Sequence, residues 1–492
     1  MTTPQPITGP ALTSPALTNA APTSPALNPD RYAQHTGLLD AAISTVRAIQ
    51  PIQAVGRVVA VRGLSVLVRD LPAPVGATVR LPRLAGPHAP RGESGEVVGL
   101  AGDHAVVMML GQAVGIRTGD EVVALQSAKT AGVGPSMLGR VLSGLGEPVD
   151  GGPGLHNLFP QSLDPAPIRA MARGRINQPM HTGVRAIDLF NTLGRGQRMG
   201  LFAGPGVGKS TLLGAITRQC AADINVVALI GERGREVKDF IEHSLGPQGL
   251  ARTVVVVATG DESPLMRIRA AMLACAVAEF FRDRGKHVML LMDSVTRFAH
   301  AQRQVGLTAG EPPASKGYTP SVFAAMARLM ERAGQLEGLG GSITGLYTVL
   351  VEGDDMTEPV ADAARGILDG HIMLSRGLAQ RGHFPAIDVL DSVSRVANDV
   401  TDAQHQAARR QLVRSMALYR EVEDLVQIGA YAKGASPETD QAIAMHPRLT
   451  ELLRQDLSAI DPFDKARARL LTLAGQAVTL PPAPTSHAAN RR

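Results

Sequence analysis

The sequence predicts an α/β protein: a parallel sheet covered by helices on both faces, preceded by a small β-barrel and followed by a helical region. Three observations carry this. Five apolar runs, at 198–203, 225–230, 253–258, 287–292 and 342–350, are short and rich in Val, Leu and Ile, as buried parallel strands are. They alternate with helical stretches, notably 264–284 and 320–333. Residues 51–125 instead hold short Val- and Leu-rich segments parted by glycine turns, and after about 400 the strand signals stop.

The chain has 492 residues, which at roughly 150 per domain suggests about three domains. Its 44% hydrophobic content is enough to bury a sizeable core. Cys220 and Cys275 are the only cysteines, so there is neither a disulfide framework nor a metal-ligand cluster, and each reads as a small buried hydrophobe. No apolar run approaches the ~18 residues of a bilayer span. The N-terminus lacks the basic-then-apolar pattern of a secretory signal, so a reducing, cytoplasmic setting is expected. Basic residues exceed acidic ones, 49 to 44, a mild excess that does not by itself argue for nucleic acid.

Taken in order, 1–34 form a Pro-, Ala- and Thr-rich tail in which Thr-Ser-Pro-Ala-Leu occurs twice, expected to be disordered. Residues 35–125 begin with Leu39, Ala42, Ile43, Val46 and Ile49 at helical spacing, an amphipathic helix that either packs on its own domain or docks a partner or membrane surface. The strands at 55–61, 65–69, 96–100, 105–110 and 121–125 then form the barrel. That barrel contains no Phe, Tyr or Trp, so it lacks the stacking platform of a nucleic-acid binder. Residues 126–400 form the α/β core. Residues 401–480 are helical, with helices expected at 403–429 and 443–457, and 481–492 repeat the character of the first tail.

The chemistry concentrates at three strand ends. Gly204-Pro205-Gly206-Val207-Gly208-Lys209-Ser210-Thr211 follows the run at 198–203 and opens a helix. Glycines there let successive backbone N–H groups face phosphate oxygens, with a helix N-terminus behind them. Lys209 would reach the β- and γ-phosphates and the Ser210 hydroxyl would ligate Mg²⁺. Asp293, an acid at the end of the run at 287–292, is placed to hold the shell of the same ion. Ile230-Gly231-Glu232-Arg233-Gly234 ends another run; Glu232 could polarise an attacking water and Arg233 could stabilise charge on the γ-phosphate.

The segments 204–211, 231–237, 290–303 (LLMDSVTRFAHAQR), 310–332, 351–370 (VEGDDMTEPVADAARGILDG) and 384–396 (FPAIDVLDSVSRV) resemble the ATPases of type III protein export, relatives of the catalytic subunit of rotary ATP synthases. The resemblance runs over about 35–475. It implies a RecA-like phosphate-loop core between a β-barrel and a helical C-terminal domain, and a homohexameric ring that hydrolyses ATP with Mg²⁺. It further implies that Arg233 and Arg297 sit near the γ-phosphate and that Arg395 is an arginine finger reaching a neighbouring subunit's nucleotide. Phe384 and Tyr431 would flank the adenine ring.

Because one chain carries both Glu232 and Arg395, identical subunits could complete every site in a ring, which favours a homo-oligomer. The same resemblance implies a cytoplasmic enzyme peripheral to the inner-membrane export apparatus, where a stator-like regulatory protein, export-gate membrane proteins, chaperones and export substrates are its partners. Residues 308–318 (TAGEPPASKGY) and 195–206 are closer to the flagellar branch than to the virulence-type injectisome. Glu232 counts against a non-catalytic rotary subunit, which lacks an activating carboxylate there. The aromatic-free barrel counts against a nucleic-acid translocase.

Overall fold

A computed structural model describes residues 54–81, 93–111, 113–126, 129–338, 340–351, 353 and 355–479. Both tails and the expected amphipathic helix at 38–49 lie outside the described residues.

Strands β1 (Val55–Arg62), β2 (Ser65–Arg69), β3 (Thr78–Leu81), β4 (Glu93–Ala101), β5 (His104–Met109) and β6 (Glu121–Gln126) close a barrel in the order β1-β2-β5-β4-β3-β6. Alternate side chains, among them Val58, Val68, Val79, Val97, Val107 and Val122, fill its interior. The sequence reading missed β3. Four residues are too few to display an alternation, yet β3 pairs with both β4 and β6 and the barrel does not close without it.

The core elements are β7 (Val141–Ser143), α1 (Arg185–Phe190), β8 (Arg198–Ala203), α2 (Lys209–Gln219), β9 (Ile224–Glu232), α3 (Gly234–Asp239), β10 (Thr253–Thr259), α4 (Pro264–Arg282), β11 (His287–Asp293), α5 (Val295–Thr308), α6 (Pro320–Met330), β12 (Ser342–Leu350), α7 (Pro359–Ile367), β13 (Gly370–Leu374) and β14 (Ile387–Ser394). The sheet runs β14-β13-β8-β12-β11-β9-β10-β7, parallel along this path except for the edge strand β14, and a short strand at Gly334–Gln335 pairs antiparallel with β12. All five expected strands are present. Three strands towards the edges escaped notice: β13 and β14 at one side, where β14, IDVLDSVS, interleaves acids and serines and is only half buried, and the three-residue β7 at the other.

Both faces of the sheet are covered, as near-continuous apolar strands require. From β9, Val226, Ala228 and Ile230 pack on one side with Leu273, Phe280 and Phe298 of α4 and α5. Val227 and Leu229 pack on the other with Leu212 and Ile216 of α2. The first face also contains a buried ion pair, Arg332 bidentate to Glu279 at 2.8 and 2.6 Å.

The C-terminal helices are α8 (Ala403–Gln427), α9 (Pro437–Leu453) and α10 (Phe463–Thr479). Leu412, Leu449 and Leu470 dock them on the α2 side of the core. The helix expected at 443–457 starts earlier and stops earlier. Ser436 caps it by accepting from the Thr439 N–H, with Pro437 next, and the chain turns extended at Arg454. Residues 454–461 are therefore a connecting segment, and that displacement matters at the site. No helix among the described residues is long and apolar enough to cross a membrane.

Candidate active site

β8 ends at Ala203 and α2 begins at Lys209, with Gly206 at φ 77° and Gly208 at φ 87° between them. Both angles lie in the left-handed region, where a side chain would be strained. Gly208 is the residue before α2 and no side chain caps the helix, so its first N–H groups are left for an anion. Ser210 and Thr211 are exposed on the first turn.

The ends of β8, β11 and β9 bring the charged groups together. β12 lies between β8 and β11, and β9 lies beyond β11. Lys209 Nζ is 2.5 Å from Asp293 Oδ1 and 3.6 Å from Glu232 Oε1. Thr348, two residues before the end of β12, donates its hydroxyl to Asp293 Oδ1 at 2.7 Å, which orients that carboxylate. Burial first, and then the charge of Asp293, push Glu232 up to about 7 against the pull of Lys209. Arg297 of α5 lies under Gly231: a Cβ there would sit 2.9 Å from Arg297 Cβ, and the φ of 72° is itself one that glycine favours. Glu232 Oε1 and Arg297 Nε are buried without a hydrogen-bond partner among the described residues. Buried polar atoms of this kind are ready to meet a polyphosphate and a water.

The structure thus gathers Lys209, Glu232, Asp293 and Arg297 beside Gly204–Thr211. Phe384 joins them, since a Cβ on Gly208 would be 3.7 Å from its ring. It borders a cleft of about 520 Å³ whose other walls include Thr211, Arg218 and Gln455 to Ser458.

Arg233 and Tyr431 lie apart from this cluster, as does Arg395, which was expected to serve a neighbouring subunit. Arg233 turns outward; its side chain is 83% exposed and pairs with Glu236 one helical turn on, so it does not face Lys209 in this chain. Tyr431 follows the turn at Gly429 and donates its N–H to Leu425 O at 3.1 Å. It lies in a separate pocket with Val426, Asp440 and Ile443, and the cleft wall it was expected to supply is built by 455–458 instead. The early end of α9 is the reason, because it frees that segment to cross the phosphate-loop helix. Arg395 is exposed just past Ser394, which pairs with Gly370, whereas Ile387 at the other end of β14 pairs with Leu374 beside the cleft. Four residues of strand, roughly 13 Å, separate it from its own phosphate loop.

Sequence reasoning missed Thr348 and Gln455. Thr348 sits mid-run among apolar residues and only strand adjacency reveals it. No local signal marks Gln455.

Taken together, the phosphate loop, the Lys209–Asp293–Glu232 cluster and the parallel sheet define a RecA-like phosphate-loop ATPase. Residues 183–394 match the ATP synthase alpha/beta family, nucleotide-binding domain, and residues 401–472 match the T3SS EscN ATPase C-terminal domain. The chain is 49% identical to the flagellum-specific ATP synthase of Treponema pallidum over 89% of its own length and 97% of that protein's. It is 50% identical to the SPI-2 type 3 secretion system ATPase of Salmonella typhimurium over 74% of its length and 84% of that protein's. It also superposes on the assembled ATPase EscN of the enteropathogenic E. coli type III secretion system, with a TM-score of 0.80, 41% identity, and 85% of this chain and 100% of that one covered. The same EscN in complex with its central stalk EscO gives 0.78 at 40% identity over the same shares. The chain belongs to the family of flagellum-specific and type 3 secretion ATPases.

Proposed function

We propose that this chain is the Mg²⁺-dependent ATP hydrolase of a type III protein-export apparatus, of the flagellar kind. The observation that carries the catalytic part is the convergence of Lys209, Asp293 and Glu232 from the ends of β8, β11 and β9 behind the phosphate loop. The flagellar part rests on the T. pallidum relative, which is matched over 97% of its length at 49% identity.

Backbone N–H groups from Gly206 to Thr211 bind the phosphates, and Lys209 moves its ammonium from Asp293 onto the β- and γ-oxygens. The Ser210 hydroxyl and the Asp293 carboxylate are suited to a hard cation that keeps several waters, and among the described residues there is no denser acidic cluster that would favour another metal. When bound, Mg²⁺ supplies charge neutralisation across the phosphates. Glu232 Oε1 accepts from a water and aligns it on the γ-phosphorus, on the side away from the β–γ bridging oxygen. That P–O bond breaks as the water's oxygen bonds to phosphorus, and the water's proton passes towards Glu232. Arg297 adds positive charge from below. Phe384 and the 455–458 segment hold the base.

Arg395 lies a strand length from its own site and serves the next subunit's, so the working form is a homo-oligomer, as the assembled EscN supports by analogy. A stalk-like regulatory partner is proposed on the same footing. The enzyme works in the cytoplasm, at the periphery of the inner-membrane export gate, and helps to feed chaperone-released substrates to it.

The deciding experiment is Mg²⁺-dependent ATPase activity per subunit against protein concentration, with the mass measured at each dilution. Specific activity should climb as the oligomer forms. A constant rate across a range in which the mass shows monomers would end the shared-site reading.

A further inference from the structure

The wall behind Phe384 has two faces. Three neighbouring pairs in the chain, Leu374 with Ser375, His383 with Phe384, and Arg454 with Gln455, each give one residue to the nucleotide cleft and the other to a second cavity of about 310 Å³. This rear cavity lies between β14 and the helices α8 and α9.

Its acids are accounted for. Asp388 is held bidentate by Arg420 at 2.5 and 2.6 Å, and Glu423 is paired with Arg381. Its remaining cation is not. The Arg454 guanidinium has no ion-pair or hydrogen-bond partner among the described residues, and neither do the ring nitrogens of His383. His383 is only 7% exposed. Burial first, and then the positive fields of Arg454, Arg381 and His446, hold its ring below the ordinary histidine value. His383, a largely buried ring, and Arg454, whose side chain is exposed at the mouth, thus line one cavity with donor groups that no acceptor among the described residues takes up. A tetrahedral oxyanion can accept from both at once, with charge-assisted bonds to the guanidinium.

We propose that the rear cavity binds a free phosphate-class oxyanion between Arg454 and His383, and that its occupancy is coupled to the nucleotide cleft through the shared wall. The anion draws 383 and 454 together, and the residues beside them, Phe384 and Gln455, move as one with it. Only the coupling rests on the ATPase reading; the site stands on its own geometry.

The probe is inorganic phosphate, titrated by equilibrium dialysis against the full-length K209A variant, in which the phosphate loop no longer competes. One phosphate per chain is expected, with affinity at least tenfold weaker when R454Q is added and within threefold of K209A when R454K is added. H383Q should weaken it similarly; should H383Q fail to fold, the exposed Arg454 pair still decides. No phosphate bound to K209A, or binding indifferent to R454Q, overturns the proposal. Phosphatidylglycerol vesicles present the same chemistry on a surface, and displacement of the bound phosphate by them would also overturn it in favour of a lipid headgroup. For the coupling, phosphate should inhibit wild-type ATP hydrolysis with a mixed pattern that becomes purely competitive in R454Q. A competitive pattern in both removes the coupling, whereas a wild type without turnover refutes the ATPase reading and leaves the dialysis result intact.

Discussion

Gln455 donates its backbone N–H to the carbonyl of Phe384 at 3.0 Å, joining the C-terminal helices to the wall of the nucleotide cleft. Its side-chain amide is used twice more: Oε1 accepts from the Arg185 N–H at 2.8 Å and Nε2 donates to Gly183 O at 2.7 Å. Two residues on, Leu457 O accepts from Gln219 at 2.9 Å and from Arg218 at 3.3 Å, both at the far end of the phosphate-loop helix. The segment after α9 is thereby tied to the start of α1, the end of α2 and Phe384 at once.

Replacing Gln455 by leucine removes the two side-chain bonds and leaves Gly183 O and the Arg185 N–H short of partners. Stability should fall by about 2–3 kcal/mol, near the lower end of about 1–3 kcal/mol for each of the two groups, because both are only partly buried. The KM for ATP should rise roughly tenfold, about 1.4 kcal/mol, while kcat changes little because Lys209 and Glu232 are untouched. Urea denaturation and steady-state kinetics on the same preparation check both. An unchanged KM in a folded variant would remove Gln455 from the cleft's construction.

Glu232→Gln should bind ATP and lose hydrolysis by at least about 10²-fold, the lower end of what a positioned base contributes. Its raised value makes a pH prediction. In the unfolded chain the group titrates near 4.5 and in the folded one near 7, so between those values the folded chain holds the extra proton. Stability from this group is therefore lost as pH rises through that window, and the glutamine variant should not share the loss. The kcat/KM of the wild type should climb with pH around 7, as the carboxylate form appears. A wild type whose profile is flat from pH 6 to 8 would contradict the assignment.

Arg395→Ala should fold and bind ATP normally, since the side chain is exposed and its removal opens no cavity. The rate gained on assembly should fall by about 10³-fold or more, in line with arginines supplied across interfaces elsewhere. Mixing Arg395→Ala with Glu232→Gln subunits should restore part of the activity, because some interfaces then have an intact pair. No recovery in confirmed mixed oligomers would argue against a site completed in trans.

Glu279→Leu would strand the Arg332 guanidinium, which is 8% exposed, in the α4 face of the core. Breaking one side of a buried pair costs about 3–5 kcal/mol. The double replacement of Glu279 and Arg332 by leucine and methionine should recover much of that loss. Thermal melts of the three chains test it.

The order and content of the main strands, the phosphate loop and the two acids at strand ends were legible in the sequence. Each depends on local chemistry: apolar runs that must be buried, glycines that must turn, and charges placed where a strand stops. The resemblance to a family put Phe384 against the adenine ring and Arg297 near the γ-phosphate; in the structure Phe384 borders Gly208 and Arg297 lies under Gly231. What the linear order could not express was adjacency. Thr348 reaches Asp293 because β12 inserts between β8 and β11, and Arg395 is carried away from its own site because β14 runs antiparallel to β13. Tyr431 lines a pocket apart from Phe384 for the same reason. The cleft is closed by whichever part of the C-terminal helices happens to cross α2, and that was decided by Ser436 and Pro437 starting α9 early enough for residues 454–461 to leave it as a loop. A residue's neighbours in sequence decide its conformation, but only the packed chain decides what stands across a cleft from it.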